Sequence, residues 1–174
     1  MNNSNTFNNN FDEKALFLKK LMIESGLANP NLVKGCSVQE IAEIEQQSNV
    51  LLPKSYKVFL KYFGNGLGGH IMYDMDITLD KILGLTNFLK NRVLIEEEDP
   101  LLPEKAFVFS ARYGEQFLFF DCSQVNKDKP IFHYELNDEK FASIDKTILD
   151  FLEDQIKLSI YLKKKREEKR RNKK

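Results

Sequence analysis

The stretch Leu52-Pro53-Lys54-Ser55-Tyr56-Lys57-Val58-Phe59-Leu60-Lys61-Tyr62-Phe63-Gly64-Asn65-Gly66 decides how this chain is read. Proline suits the first turn of a helix, where its missing N–H would have no partner anyway. Tyr56, Phe59, Leu60 and Phe63 recur at i, i+3, i+4 and i+7 and so make one apolar face, with Lys54, Lys57 and Lys61 on another side. Gly64 and Gly66, with Asn65 between them, are residue types that take the positive φ that ends a helix. The stretch predicts a short helix with a marked start and a marked stop, and nothing in it suggests chemistry.

Upstream, Ser37-Val38-Gln39-Glu40 is a capping-box pattern that opens a second helix, with Ile41, Ile44 and Leu51 marking its buried side and exit. Before it, a first helix is expected from about Asp12 to Ser25, stopping at Gly26, with Phe11, Ala15, Leu18 and Met22 along one side. Residues 1–10 are rich in Asn and read as a disordered leader.

Downstream, Gly66-Leu67-Gly68-Gly69 turns the chain into residues 70–77. There Ile71, Tyr73, Met75 and Ile77 alternate with His70, Met72, Asp74 and Asp76, the period of a strand with one buried face. A short helix from Thr78 or Leu79 to about Lys90 and the acidic loop Glu96-Glu97-Glu98-Asp99-Pro100 follow. Residues 106–111, 116–122 and 130–136 are strand candidates, with turns at Gly114 and at Asn126-Lys127-Asp128. The second of these is apolar on both faces, as a central strand covered on both sides would be. A last helix is expected from about Asp145 to Leu162 on the stripe Ile148, Phe151, Leu152 and Ile156. Helices, then strands, then a closing helix is an α+β order with a mainly antiparallel sheet packed by helices.

The 174 residues fit one domain, read as residues 11–162, between the leader and a basic tail at 163–174. The formal net charge is zero, but nine of the 26 basic and two of the 26 acidic residues lie in 163–174. The tail therefore carries +7, and the remainder, with 17 basic against 24 acidic residues, carries −7. Apolar runs are far too short for a membrane span, and the N-terminus carries no charged-then-apolar signal pattern. Cys36 and Cys122 stand alone, most simply two reduced thiols of a cytoplasmic protein, with a single disulfide as the alternative.

The ordered set of motifs resembles the SUKH superfamily, in its Smi/Knr-type branch. Ser37, Glu40, Ile41 and Glu45 match a Ser-x-x-Glu-Ile-x-x-x-Glu helix, and Leu52, Pro53, Tyr56, Phe59, Leu60, Asn65 and Gly66 match the Leu-Pro-x-x-Tyr-x-x-Phe-Leu signature that follows it. The run from Gly114 to Asp121 is similar to a Gly-Asp turn leading into a strand that ends in Asp, with Glu115 where Asp is usual. Leu67 departs from the pattern, since a second Gly is usual there. The resemblance spans roughly residues 33–156. It implies a SUKH-like α+β fold and a non-enzymatic protein-binding module with no cofactor. Its bacterial members are in many cases immunity proteins that neutralise cognate toxins, often nucleases. Its fungal members act as regulatory interaction proteins in cell-wall signalling.

No G-x-S-x-G, H-E-x-x-H, Walker-type or dinucleotide-binding glycine motif occurs. Asp74 and Asp76 share a strand face near His70 and can be drawn as a metal site, but the wet face of a half-buried strand produces the same pattern. The glycines at 66–69 lack the following Lys and helix that a phosphate loop needs. Asp74, Asp76 and Asp80, with the block Glu96, Glu97, Glu98 and Asp99, are the partner-binding candidates. An acidic surface can fill the basic cleft of a nuclease toxin and steer the encounter, or simply keep a domain soluble. The basic tail can meet nucleic acid or anionic lipid without base stacking, serve as a nuclear address, or be a solvated helix end. The expected function is therefore neutralisation of a cognate toxin, with a Knr-type scaffold and nucleic-acid binding through the tail as alternatives.

Overall fold

The capping box opens the second helix as its sequence requires. In the computed structural model Ser37 is the N-cap of α2 (Val38–Ser48), its hydroxyl accepting from the Glu40 amide at 3.2 Å. The Glu40 carboxylate accepts from the Ser37 amide at 2.7 Å. The structure describes residues 4–69, 71–72, 75–123, 128 and 130–172, with backbone alone at 4–9 and 76. His70, Tyr73, Asp74 and the turn residues Asn126 and Lys127 lie outside the described residues, as does the Asp76 side chain.

The opening motif forms α3 (Lys54–Phe63), and Tyr56, Phe59, Leu60 and Phe63 are completely buried. Fully burying a side chain of this size contributes about 1.5–3 kcal/mol, so this face anchors the core. Two details differ from expectation. Pro53 is the N-cap residue and not part of the first turn. Gly64 keeps right-handed helical geometry, with φ −58°. Glycine is needed there for space: a Cβ would lie 2.4 Å from Cys36 Sγ. Leu51, expected inside, is exposed, and its neighbour Leu52 takes the buried position. Glu45 makes that turn, accepting from the Leu52 amide at 2.8 Å and pairing with Lys57 at 3.2 Å.

α1 (Ser4–Glu24) begins earlier than the expected start near Asp12 and covers most of the segment read as a leader. That segment has neither Gly nor Pro to stop a helix. Ala15, Leu18 and Met22 are buried, and Gly26, at φ +64°, follows the helix end. Two short strands that periodicity did not reveal, β1 (Val33–Lys34) and β2 (Gly66–Leu67), pair antiparallel across the foot of α3.

The main sheet has five antiparallel strands in the order β3-β4-β5-β6-β7. They are β3 (Met75–Asp76), β4 (Ala106–Arg112), β5 (Gln116–Asp121), β6 (Phe132–Glu135) and β7 (Ala142–Ser143). β5 is the central strand. Leu118 and Phe120 belong to a core shared with the helices, Phe117 and Phe119 to a smaller core on the opposite face. The tight turn from β4 to β5 has positive φ at Tyr113 (55°) and Gly114 (73°), the twist that suits a hairpin. Of the strand expected over 70–77, Met75–Asp76 form β3 among the described residues, and Met72, expected on its wet face, is buried beside Ile71.

Gly84, at φ +91°, breaks the expected helix 78–90 into α4 (Leu79–Ile82) and α5 (Leu85–Phe88), followed by a π-helical turn at Leu89–Val93. Leu89, Val93 and Leu94 cover the second face of the sheet. The closing helix α6 (Ile148–Arg171) starts at a second capping box, Thr147 with Asp150, and runs on past Leu162 into the basic tail, where the sequence allows either a helical extension or disorder. Of its predicted stripe, Phe151 is only partly buried, while Leu149 is fully buried.

The first face of the sheet is covered by α1, α3 and α6. Tyr56 sits against Phe107, Phe109 and Phe120 at centroid distances of 5.7, 5.4 and 5.2 Å. α1 and α6 run parallel. Lys14 pairs with Asp150 (2.5 Å) and Glu153 (2.9 Å) near one end, and Lys163 reaches the carbonyl of Ser25 (2.8 Å) near the other.

Candidate functional site

The acidic loop between the π-helical turn and β4 is held by its own backbone. The Asp99 carboxylate accepts from the Glu96 amide at 2.8 Å, and the Asp99 amide donates to the Glu96 carbonyl at 3.2 Å. This closed turn leaves Glu96, Glu97 and Glu98 exposed and Asp99 half-buried. The Tyr134 hydroxyl is pushed up in pKa by burial first, then by the charges of Asp99 and Asp138. The charges of Asp99 and Asp138 both act on the Tyr134 hydroxyl, whose ring belongs to the core on the second face of the sheet.

Asp138 belongs to no acidic run of three or more in the sequence. It sits in the turn after β6, where its carboxylate accepts from the Glu135 amide at 2.9 Å. Glu135 and Glu139 beside it are exposed. The Asn137-Asp138 dipeptide is a turn signal, and Asn137 takes the left-handed φ of 72° that such a turn uses. β6 pairs with β5 and leads directly into this turn.

Asp80 lies elsewhere. It is exposed on α4, where its carboxylate accepts from the Thr78 hydroxyl at 2.6 Å, and Leu79 and Ile82 on either side of it pack into the helix-side core. The sequence therefore splits its acidic candidates between two faces of the sheet: Asp80 with the helix-side core, residues 96–99 with the opposite one. Asp74 and the Asp76 side chain lie outside the described residues; the Asp76 backbone pairs with Ala111 at the edge of the sheet.

Beside Asp80, a groove of about 560 Å³ opens at that edge, with Met72, Met75, Thr78, Lys81 and Tyr113 among its walls. Tyr113 is 71 % exposed at the hairpin tip, with the Arg112 guanidinium 5.4 Å from its ring centroid. Phe88, 43 % exposed, lies across Gly114 on the other side of the tip. Methionines give a binding wall adaptability, and exposed Tyr and Arg are the residue types that anchor protein interfaces.

The motif residues of 52–66 lie away from both surfaces. Asn65 donates from Nδ2 to the Gly35 carbonyl (3.2 Å) and to Glu40 (3.1 Å), tying the end of α3 to the start of α2. The Glu40 carboxyl sits below its usual pKa, chiefly because of the hydrogen bonds from Ser37. Asp121 ends β5 by accepting from the Ser123 amide at 3.0 Å. Cys36 and Cys122 are both buried, and among the described residues neither is in a disulfide. Burial, helped by Glu40, pushes the Cys36 thiol up to about 11, far from a reactive thiolate. Among the described residues no group of three or more His, Cys, Asp or Glu side chains could hold a metal ion.

A family model described as SMI1-KNR4 cell-wall, within the SUKH group, matches residues 38–152. The chain belongs to this family. The match begins at the first residue of α2 and ends within α6, so it takes in α3, the whole sheet and both exposed surfaces described above. No curated protein matches the chain. SUKH domains of the SMI1-KNR4 type are in general non-catalytic immunity or regulatory proteins, and membership supports a protein-interaction or immunity-type role. Among the described residues no helix is long and apolar enough to cross a membrane.

Proposed function

We propose that this protein is a non-enzymatic immunity protein that neutralises a cognate toxin by covering its active site, and that the toxin is a nuclease with a basic cleft. SUKH membership over residues 38–152 carries the reading. The net charge of −7 outside the basic tail gives the partner its sign. The acidic turn at Glu96, Glu97, Glu98 and Asp99, with Asp138, whose charge acts on the same Tyr134 hydroxyl as that of Asp99, supplies the complementary face. The carboxylates of Glu96, Glu97 and Glu98 are exposed on a self-closed loop and make no ion pair among the described residues, which leaves them available to a cationic surface. Opposite potentials of this kind raise association rates and exclude the nucleic-acid substrate from the cleft.

The deciding experiment is co-purification of the full chain with the toxin domain encoded next to it, together with protection of cells that express that domain. A stoichiometric complex and restored growth are expected. Absence of any toxin gene beside it, with no protection against candidate nuclease toxins, overturns the reading.

The cell-wall description of the family favours one second reading, a regulatory scaffold that recruits partners through its terminal segments. Deleting residues 163–174 separates the two. A scaffold loses its complexes, whereas a toxin inhibitor working through the acidic turn keeps its own.

A further inference from the structure

The end of α6 is used in two different ways. Lys163 is committed to the fold: its ammonium donates to the carbonyls of Ser25 (2.8 Å) and Gly26 (3.2 Å) at the end of α1. An ammonium has three N–H donors, so one is left over. Beyond Lys163 the helix runs on to Arg171 through Lys164, Lys165, Arg166, Glu167, Glu168, Lys169 and Arg170. Among the described residues no ion pair involves any of these side chains.

Lys163, Arg166 and Arg170 follow at spacings of three and four and therefore share one helical face. That face borders a groove of about 400 Å³ whose other walls include Gly26, Leu27 and Gly69, with Glu167 at its rim. Lys165/Lys169 and Arg166/Arg170 place like charges one turn apart, an arrangement that weakens a helix standing alone. A ligand that neutralises them stabilises this end.

We infer that the last two turns of α6, with the groove beside Lys163 as their seat, bind the phosphodiester backbone of a nucleic acid without reading its sequence. The groove takes one phosphate, against Arg166, Arg170 and the remaining N–H of Lys163. From Lys163 to Arg171 the cations span about 12 Å of helix, at 1.5 Å per residue, which suits a polymer better than a lone phosphate. Residues 163–172 contain no apolar side chain to enter a lipid headgroup layer and no aromatic side chain to stack on a base. The chemistry therefore favours a phosphate chain over a membrane and predicts no base preference. This site is separate from the acidic turn and stands whether or not the toxin reading does.

The test uses the full chain with a mixed-sequence 20-mer RNA and the corresponding DNA duplex, titrated by fluorescence anisotropy from 50 to 200 mM salt. Neutralising about three phosphates gives a log–log salt slope near −2.7 for the duplex, a loss of about 40-fold over that range, and near −2.1 for the single-stranded RNA, a loss of about 20-fold. R166E/R170E is expected to weaken binding at least tenfold while its thermal midpoint stays that of the parent, since among the described residues neither arginine makes an ion pair. Lys163 is left untouched because it holds α1. No binding at 50 mM salt overturns the inference. So does binding unchanged in R166E/R170E, or tighter binding to vesicles of anionic phospholipid than to either nucleic acid.

Discussion

The Lys163 ammonium donates to the Ser25 carbonyl at 2.8 Å, joining residues 138 positions apart in the chain. The contact puts a cation at the negative end of the α1 dipole and satisfies carbonyls that the helix cannot satisfy itself. It also ties the end of α1 to the later half of α6, while Lys14 ties the middle of α1 to the first turns of α6 through Asp150 and Glu153. Lys163→Ala is expected to lower unfolding free energy by about 1–2 kcal/mol. Lys164→Ala, one residue further round the same helix, is expected to change it by less than about 0.5 kcal/mol. Urea titration of the two variants makes the comparison; equal effects would show that the capping contact contributes nothing.

The Tyr56 hydroxyl presents the reverse case. Its ring is wholly buried against the sheet, yet the oxygen has no hydrogen-bond partner among the described residues. An unsatisfied buried hydroxyl costs about 1–3 kcal/mol, so Tyr56→Phe is expected to stabilise by about 1 kcal/mol. Tyr56→Ala is expected to cost about 3–5 kcal/mol through the cavity it opens. Burial, with Cys36 nearby, holds the Tyr56 hydroxyl well above its ordinary pKa of 10.0. The unfolded chain therefore ionises first, and stability falls as pH rises above 10.0. Tyr56→Phe should flatten that alkaline limb in denaturation curves recorded at several pH values.

Those two residues mark how far the sequence could be read. Tyr56 was legible because its buried neighbours recur at helical spacing, and Ser37 because its capping partner lies three residues away. The alternation of apolar residues on both faces of β5 announced a central strand. What escaped depends on long-range pairing. β1 and β2 are two residues each and acquire meaning only from one another. Lys163 looked like part of a charge run because its carbonyl partners lie at the far end of the chain. The acidic candidates were neighbours in composition only: the sheet separates Asp80 from the 96–99 turn, and the Tyr134 hydroxyl feels Asp99 together with Asp138, which local patterning had no reason to group.

The Lys14 cluster predicts a specific pH profile. Burial works to raise the Asp150 carboxyl, but the hydrogen bonds from Lys14 and Thr147 outweigh it, so the group lies below its ordinary 3.8. Hydrogen bonds from Lys157 and Lys14 hold Glu153 below its ordinary 4.5. Burial works to lower Lys14, and its bonds to both carboxylates raise it above 10.5 on balance. Depressed carboxylates contribute stability that is present above their unfolded pKa values and lost as pH falls through the folded ones. Lys14→Met is therefore expected to reduce stability at pH 7 and to make the decline below pH 4.5 shallower than in the parent. Asp128, raised mainly by burial, works in the opposite sense: its contribution is present below 3.8 and lost as pH rises through its folded value. Asp128→Asn should consequently steepen the acid decline. Parallel acid limbs in all three proteins would contradict both assignments.

The acidic turn allows recognition to be separated from structure within four residues. Glu96, Glu97 and Glu98 are exposed, and none forms an ion pair among the described residues. Replacing all three by Gln should leave stability within about 0.5 kcal/mol of the parent. Asp99 differs, since its carboxylate closes the turn on the Glu96 amide. Asp99→Ala should cost about 1 kcal/mol, the worth of a lost side-chain cap. It should also bring the Tyr134 hydroxyl down toward its ordinary 10.0, because one of the charges that raise it is gone. Against the toxin domain encoded beside this chain, the Gln triple variant should associate about tenfold more slowly at low salt, with the difference closing as salt screens the charges. Stopped-flow association over a salt series reads this directly. An unchanged association rate, with the fold intact, would move the contact surface to the groove beside Tyr113 and leave the acidic turn without a part in recognition.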